Sequence, residues 1–130
     1  MLKTLLLASA ILQAISPNIE VFDIDLSKVT KITSSSKQIQ GEVLVWLKSI
    51  NGIDGKVKFE PPPHGVMIKI PLSPPLKIEN VWVNEVISEV YLIYSKNEKA
   101  RLLLFTRENK VMLVYFEADP TPFVKRISTN

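Results

Sequence analysis

The chain predicts an α+β fold: one domain in which an antiparallel sheet carries two or three helices packed on one face. Three observations predict it. Phe22, Ile24 and Leu26 alternate with Asp23 and Asp25, the period of a half-exposed strand. Apolar residues recur at intervals of three and four over residues 36–50 and 80–95, the period of a helix. Two apolar runs, residues 101–106 and 111–117, flank the polar Arg107-Glu108-Asn109-Lys110, which reads as a hairpin. The alternative is a mainly-β sandwich or barrel after an N-terminal helix, because β-branched residues crowd the second presumed helix and Gly41 interrupts the first.

The elements follow in order. Residues 1–16 are apolar apart from Lys3 and a few small polar side chains, and Pro17 closes the segment. It is too short to span a bilayer. It reads as a buried helix, and alternatively as a signal peptide with Ala8-Ser9-Ala10 as the cleavage triplet. Residues 19–26 form a strand, with residues 29–33 as its hairpin partner across Ser27 and Lys28. Ser35 and Gln38 fit a capping box, and Ile39, Val43, Trp46, Leu47 and Ile50 then recur at helical spacing. Asn51-Gly52 supplies a stop. Gly41 argues against this helix, and a strand over residues 42–50 competes with it. Residues 56–60 and 66–70 alternate as strands, separated by Pro61-Pro62-Pro63-His64-Gly65, and prolines at 71, 74 and 75 break the chain again.

Residues 80–95 place Val83, Val86, Ile87, Val90 and Tyr94 opposite polar pairs at Asn84-Glu85 and Ser88-Glu89. The period predicts a helix capped by Asn80. The hairpin of residues 101–117 follows, Asp119-Pro120-Thr121-Pro122 ends it, and residues 123–128 read as a short helix or a loose tail.

With 130 residues, 46% hydrophobic and 22% charged, the chain has the length of one domain and enough apolar surface for a core. That excludes a disordered chain and a multi-pass membrane protein. The absence of cysteine excludes disulfide scaffolds, thiolate metal sites and cysteine nucleophiles. The wealth of Ile, Val, Lys, Glu and Pro resembles that of thermophile proteins. The net charge of +3 comes from thirteen Lys and three Arg against 13 acidic residues. This is a mild excess, and Lys lacks the forked geometry that Arg brings to phosphate.

No catalytic constellation is visible. His64 is the only histidine and stands in a proline loop, so a triad or a zinc site has nothing to build on. Asp23 and Asp25 share a strand face, a pattern that can serve acid–base chemistry but usually marks a solvated face. The glycines form no phosphate cradle. No enzyme activity, cofactor, metal or small-molecule substrate is expected.

The leading expectation is a non-enzymatic interaction module, an accessory subunit of a larger complex or a homo-oligomer. Its candidate surface is Leu92, stranded on the polar helix face, with Glu85 and Glu89 beside it. The second expectation is a nucleic-acid-binding accessory protein using Lys56, Lys58, Arg107 and Lys110. The third is an exported β-rich surface domain. The expected partner is a protein or a second copy, with nucleic acid as the alternative and no membrane. The expected compartment is the cytoplasm, or the exterior if residues 1–16 are removed.

Overall fold

Strand β1 (Ile19–Asp23) stops where its own side chain turns the chain: Asp23 Oδ1 accepts the Leu26 N–H at 3.0 Å. Ser27, at φ 54°, completes the turn into β2 (Lys28–Thr33), which pairs antiparallel with β1. The expected hairpin forms, but its first strand ends before Leu26 because aspartate competes for nearby backbone donors. The computed structural model describes residues 18–54 and 60–128. The helix or leader expected over residues 1–16, and all but Glu60 of the strand expected over residues 56–60, lie outside the described residues.

Helix α1 (Lys37–Lys48) bears out the helical reading of this segment. Its cap is Ser36, whose Oγ accepts the Ile39 N–H at 3.2 Å, and not Ser35, whose Oγ accepts from Gln40 Nε2 at 2.7 Å. Gly41 is tolerated because it faces solvent. Ser49 caps the C-terminus, and its N–H reaches the carbonyls of Val45 and Trp46. Strand β3 (Ile50–Ile53) begins at once, so Asn51-Gly52 sit in a strand and do not stop the helix.

The expectation fails over residues 80–95. They are not a helix but contain strand β5 (Asn84–Tyr94), paired along its length with β4 (Val66–Glu79). The reason is a skipped pleat. Val83 and Ile87 belong to one core cluster, the ladder shifts register between Ile87 and Glu89, and Val90, Leu92 and Tyr94 then meet that same cluster. A period of two interrupted by one extra residue puts apolar residues at 83, 87, 90 and 94, which imitates a helix. The β-branched residues decide for strand. The proline break expected at residues 71–75 is likewise absorbed. Pro71 pairs with Glu89 and Leu76 with Ile87, so residues 72–75 bulge opposite Ser88 and the missing N–H groups of Pro74 and Pro75 cost the ladder nothing.

Strands β6 (Arg101–Thr106) and β7 (Val111–Phe116) form the expected hairpin, with Asn109 at φ 67° in its turn. Helix α2 (Thr121–Ser128) closes the described chain, with Asp119 Oδ1 accepting the Thr121 N–H at 2.9 Å. The backbone and side chain of Thr121 hold the Asp119 carboxyl below its usual range.

The described residues form a small domain of one seven-stranded antiparallel sheet, ordered β2-β1-β4-β5-β6-β7-β3, and two helices. Alternate residues of the strands feed two clusters. One joins Ile68, Ile70, Leu92, Leu102 and Val114 to Val43, Trp46 and Leu47 of α1 and to Phe123, Val124 and Ile127 of α2. The other joins Phe22, Met67, Tyr91, Ile93, Leu103 and Leu113, with Ile24 of the first turn.

Candidate functional site

The β4–β5 hairpin outruns the rest of the sheet. Ile87 pairs with Thr106 at the end of β6, and the Arg107 N–H reaches the Val86 carbonyl at 2.8 Å. Beyond that point Asn84 and Glu85 have only β4 as ladder neighbour. The connection at the tip is locked by one side chain. Asn80 Oδ1 accepts the N–H groups of Trp82 and Val83, each at 2.8 Å, and the Asn80 N–H donates to the Val83 carbonyl at 2.9 Å. Asparagine suits this work because its short amide reaches backbone donors two residues on. The locked turn presents Val81, 90% exposed, and Trp82, 44% exposed. Trp46, by contrast, is 3% exposed and packs edge-on against Phe123 with ring centroids 5.1 Å apart. Nothing in the local apolar pattern separates the two tryptophans. The missing signal was Asn80 opening a turn and not a helix.

Beside the tip, two candidate groups from different expectations meet. Lys110 Nζ lies 3.3 Å from Glu85 Oε2 and 3.8 Å from Glu108 Oε1. With Lys77 and Arg107 they line a shallow polar cleft. Lys110 therefore spends part of its charge on carboxylates. Lys56 and Lys58 lie outside the described residues, so the basic face drawn through all four is described only at Arg107 and Lys110.

Leu92 is not a surface residue. It is 0% exposed in the first cluster, because β5 is a strand and Leu92 shares a face with Val90. Glu85 and Glu89 are not helix neighbours either. The register shift between them sends Glu85 to the side of Ile87 and Glu89 to the side of Tyr91.

That second side holds charge in its interior. Lys69 Nζ lies 3.4 Å from Glu20 Oε2, and both are buried. Burial pushes the Glu89 carboxyl up to about 7, with Lys69 opposing the rise and Glu20 adding to it. Burial, with help from Glu89 and Glu20, also raises the Tyr91 phenol. Farther along, Arg101 Nη1 donates to Asp54 Oδ2 at 3.0 Å, and the Tyr115 hydroxyl donates to the same oxygen at 3.2 Å. Of these buried charges only Glu89 is singled out from the sequence, and there as an exposed helix residue. Their signal was present, a lone charge inside an apolar run, as Lys69 stands between Ile68 and Ile70.

The remaining acid–base candidates separate. Asp23 serves its turn, while Asp25 Oδ1 meets His64 Nδ1 at 2.5 Å. The hydrogen bond from His64, then that from the Gly65 N–H, holds the Asp25 carboxyl below its usual range. Both partners are exposed, so they lack the dry surroundings that split carboxyl pKa values for catalysis. Among the described residues no group of three or more His, Cys, Asp or Glu could hold a metal ion. No helix among the described residues is long and apolar enough to cross a membrane.

No protein-family model, curated protein or solved structure matches the chain.

Proposed function

We propose that the protein is a non-enzymatic interaction module, an accessory subunit of a larger complex or a homo-oligomer, that docks a protein partner through the Val81–Trp82 tip. One observation carries this reading: a tryptophan held in the open by three hydrogen bonds around Asn80. Tryptophan offers a large contact area for little lost entropy and is enriched among residues that dominate binding. A locked turn has already met its ordering cost before the partner arrives. Both helices then serve as cover for one sheet face, which agrees with their shared cluster, and the cytoplasm is the working compartment.

The test is affinity purification of the tagged chain from its host after nuclease treatment, in parallel with Trp82→Ala. A defined partner that is retained by the native chain and lost from the variant supports the reading. Identical recovery with both chains, or recovery of nothing by either, overturns it.

A second reading is nucleic-acid contact by Lys77, Arg107 and Lys110 at the same end. It predicts binding that weakens steeply with salt. The ion pairs of Lys110 with Glu85 and Glu108 weigh against it.

A further inference from the structure

Strand β2 ends the strand order, and among the described residues only β1 pairs with it. Its surface is apolar for an edge. Val29 is 38% exposed, Ile32 57%, and Leu26 in the preceding turn 60%. Three of the eight large hydrophobic side chains exposed among the described residues thus fall within seven positions.

A bulge decides where these side chains point. The ladder slips between Val21 and Phe22, so Thr30 has no partner on β1. Lys28, Lys31 and Thr33 stand opposite Asp23, Val21 and Ile19, on the side of the first cluster. Val29 and Ile32 stand opposite Phe22 and Glu20, on the side of the second. Thr30 keeps to the first side, where it borders a small cavity with Val21 and Lys31. A regular strand would send Val29 and Ile32 to opposite sides. Along β2 the sides instead run first, second, first, first, second, first, an order that is the same in both directions.

We infer that β2 pairs antiparallel with β2 of a second copy, about a twofold axis between Thr30 and Lys31, so that the sheets of two protomers become continuous. This does not depend on the docking tip, which follows the far end of β4 from β1. Antiparallel partners must share a side of the sheet. In this register they do at every position. Lys28 meets Thr33, Val29 meets Ile32 and Thr30 meets Lys31, each twice by symmetry. The apolar side chains cover one another, and no ammonium group stands directly opposite another.

Charge selects a second copy over a foreign acidic strand. Lysine and a bulge ordinarily guard an edge against pairing. Lys31, however, turns back on its own chain, where its Nζ donates to the Ile127 carbonyl at 2.7 Å near the C-terminal end of α2. That cation needs no carboxylate from outside. The bulge, for its part, is what gives the strand its matching sides.

Sedimentation velocity of the full chain over a concentration series is the test. The expected result is a reversible dimer that Ile32→Lys weakens by about tenfold or more, since symmetry loses each apolar pair twice. Ile32 is exposed, so the variant should keep the native circular dichroism. Trp82→Ala should leave the dimer unchanged. A monomer at every concentration, a dimer indifferent to Ile32→Lys, or one that Trp82→Ala dissolves overturns the inference.

The chain has no cysteine, so the register can be read separately by cross-linking. In the paired strands Val29 and the second copy's Ile32 lie about 5 Å apart between α-carbons, within disulfide reach, whereas the two copies of Val29 lie about 11 Å apart. Under mild oxidation an equimolar mixture of Val29→Cys and Ile32→Cys should form linked dimers much faster than either variant alone. Equal rates in all three samples overturn the pairing.

Discussion

Lys69 and Glu20 are register partners on β4 and β1, and their side chains meet at 3.4 Å with almost no solvent around them. One cation thus serves two buried carboxylates, because Glu89 lies on the same side of the sheet. Glu89 is the one whose proton is held, up to about 7, by burial and by the charge on Glu20. A carboxyl with a raised folded-state pKa stabilises the fold fully below its unfolded value near 4.5. That contribution disappears as pH rises through about 7. The interval caps the effect at about 3 kcal/mol. Urea unfolding from pH 4.5 to pH 8 should show native stability falling across this window. In Glu89→Gln the fall should be largely gone, and the variant should be the more stable protein at pH 8. Parallel curves for the two proteins would show that Glu89 does not titrate in this range.

Gly41 lies in the middle of α1 with its α-carbon toward solvent, and an added methyl there meets nothing within 4 Å. Glycine in a helix interior costs about 1 kcal/mol relative to alanine, through the freedom the unfolded chain loses. Gly41→Ala should therefore raise stability by about 1 kcal/mol, or about 4 °C in Tm. Thermal unfolding followed by circular dichroism reads this directly.

Gly65 is the opposite case. Its φ is +112°, and a methyl there would stand 2.2 Å from the Tyr94 carbonyl oxygen, which belongs to β5 and cannot swing aside. The residue also anchors the first turn, since its carbonyl accepts the Ile24 N–H at 2.9 Å. Gly65→Ala should cost at least about 2 kcal/mol, because both the backbone conformation and the space are refused. A chemical denaturation curve superimposable on the native one would contradict the geometry at this junction.

How much of this was legible in the chain depends on where the pleat is regular. The β6–β7 hairpin and α1 could be read because their apolar residues keep one period, and the β1–β2 hairpin because β1 keeps its alternation although its pairing with β2 shifts register between Val21 and Phe22. β5 could not. Its apolar side is kept in phase by a register shift at Ser88, and no local residue announces such a shift in advance. Every site residue assigned to that segment inherited the error: Leu92 moved from surface to core, and Glu89 moved from an exposed helix to a buried row. Arg107 and Lys110 were placed correctly in a turn. Their pairing with Glu85 depends on β5 lying beside that turn, which only tertiary structure supplies.

Leu92 and Trp82 turn that contrast into a measurement. Leu92 is enclosed by the first cluster, so Leu92→Ala removes buried methyl groups and leaves a cavity, at a cost of about 2–5 kcal/mol. Trp82 is 44% exposed at the hairpin tip, where the turn is held by Asn80 and not by the indole, so Trp82→Ala should cost clearly less stability than Leu92→Ala. Partner recovery should follow the reverse order. Leu92→Ala, assayed at a temperature where it remains folded, should retain the partner that Trp82→Ala loses. If Leu92→Ala loses the partner while still folded and Trp82→Ala keeps it, the contact surface lies elsewhere on the sheet, and the tip is only a well-ordered turn.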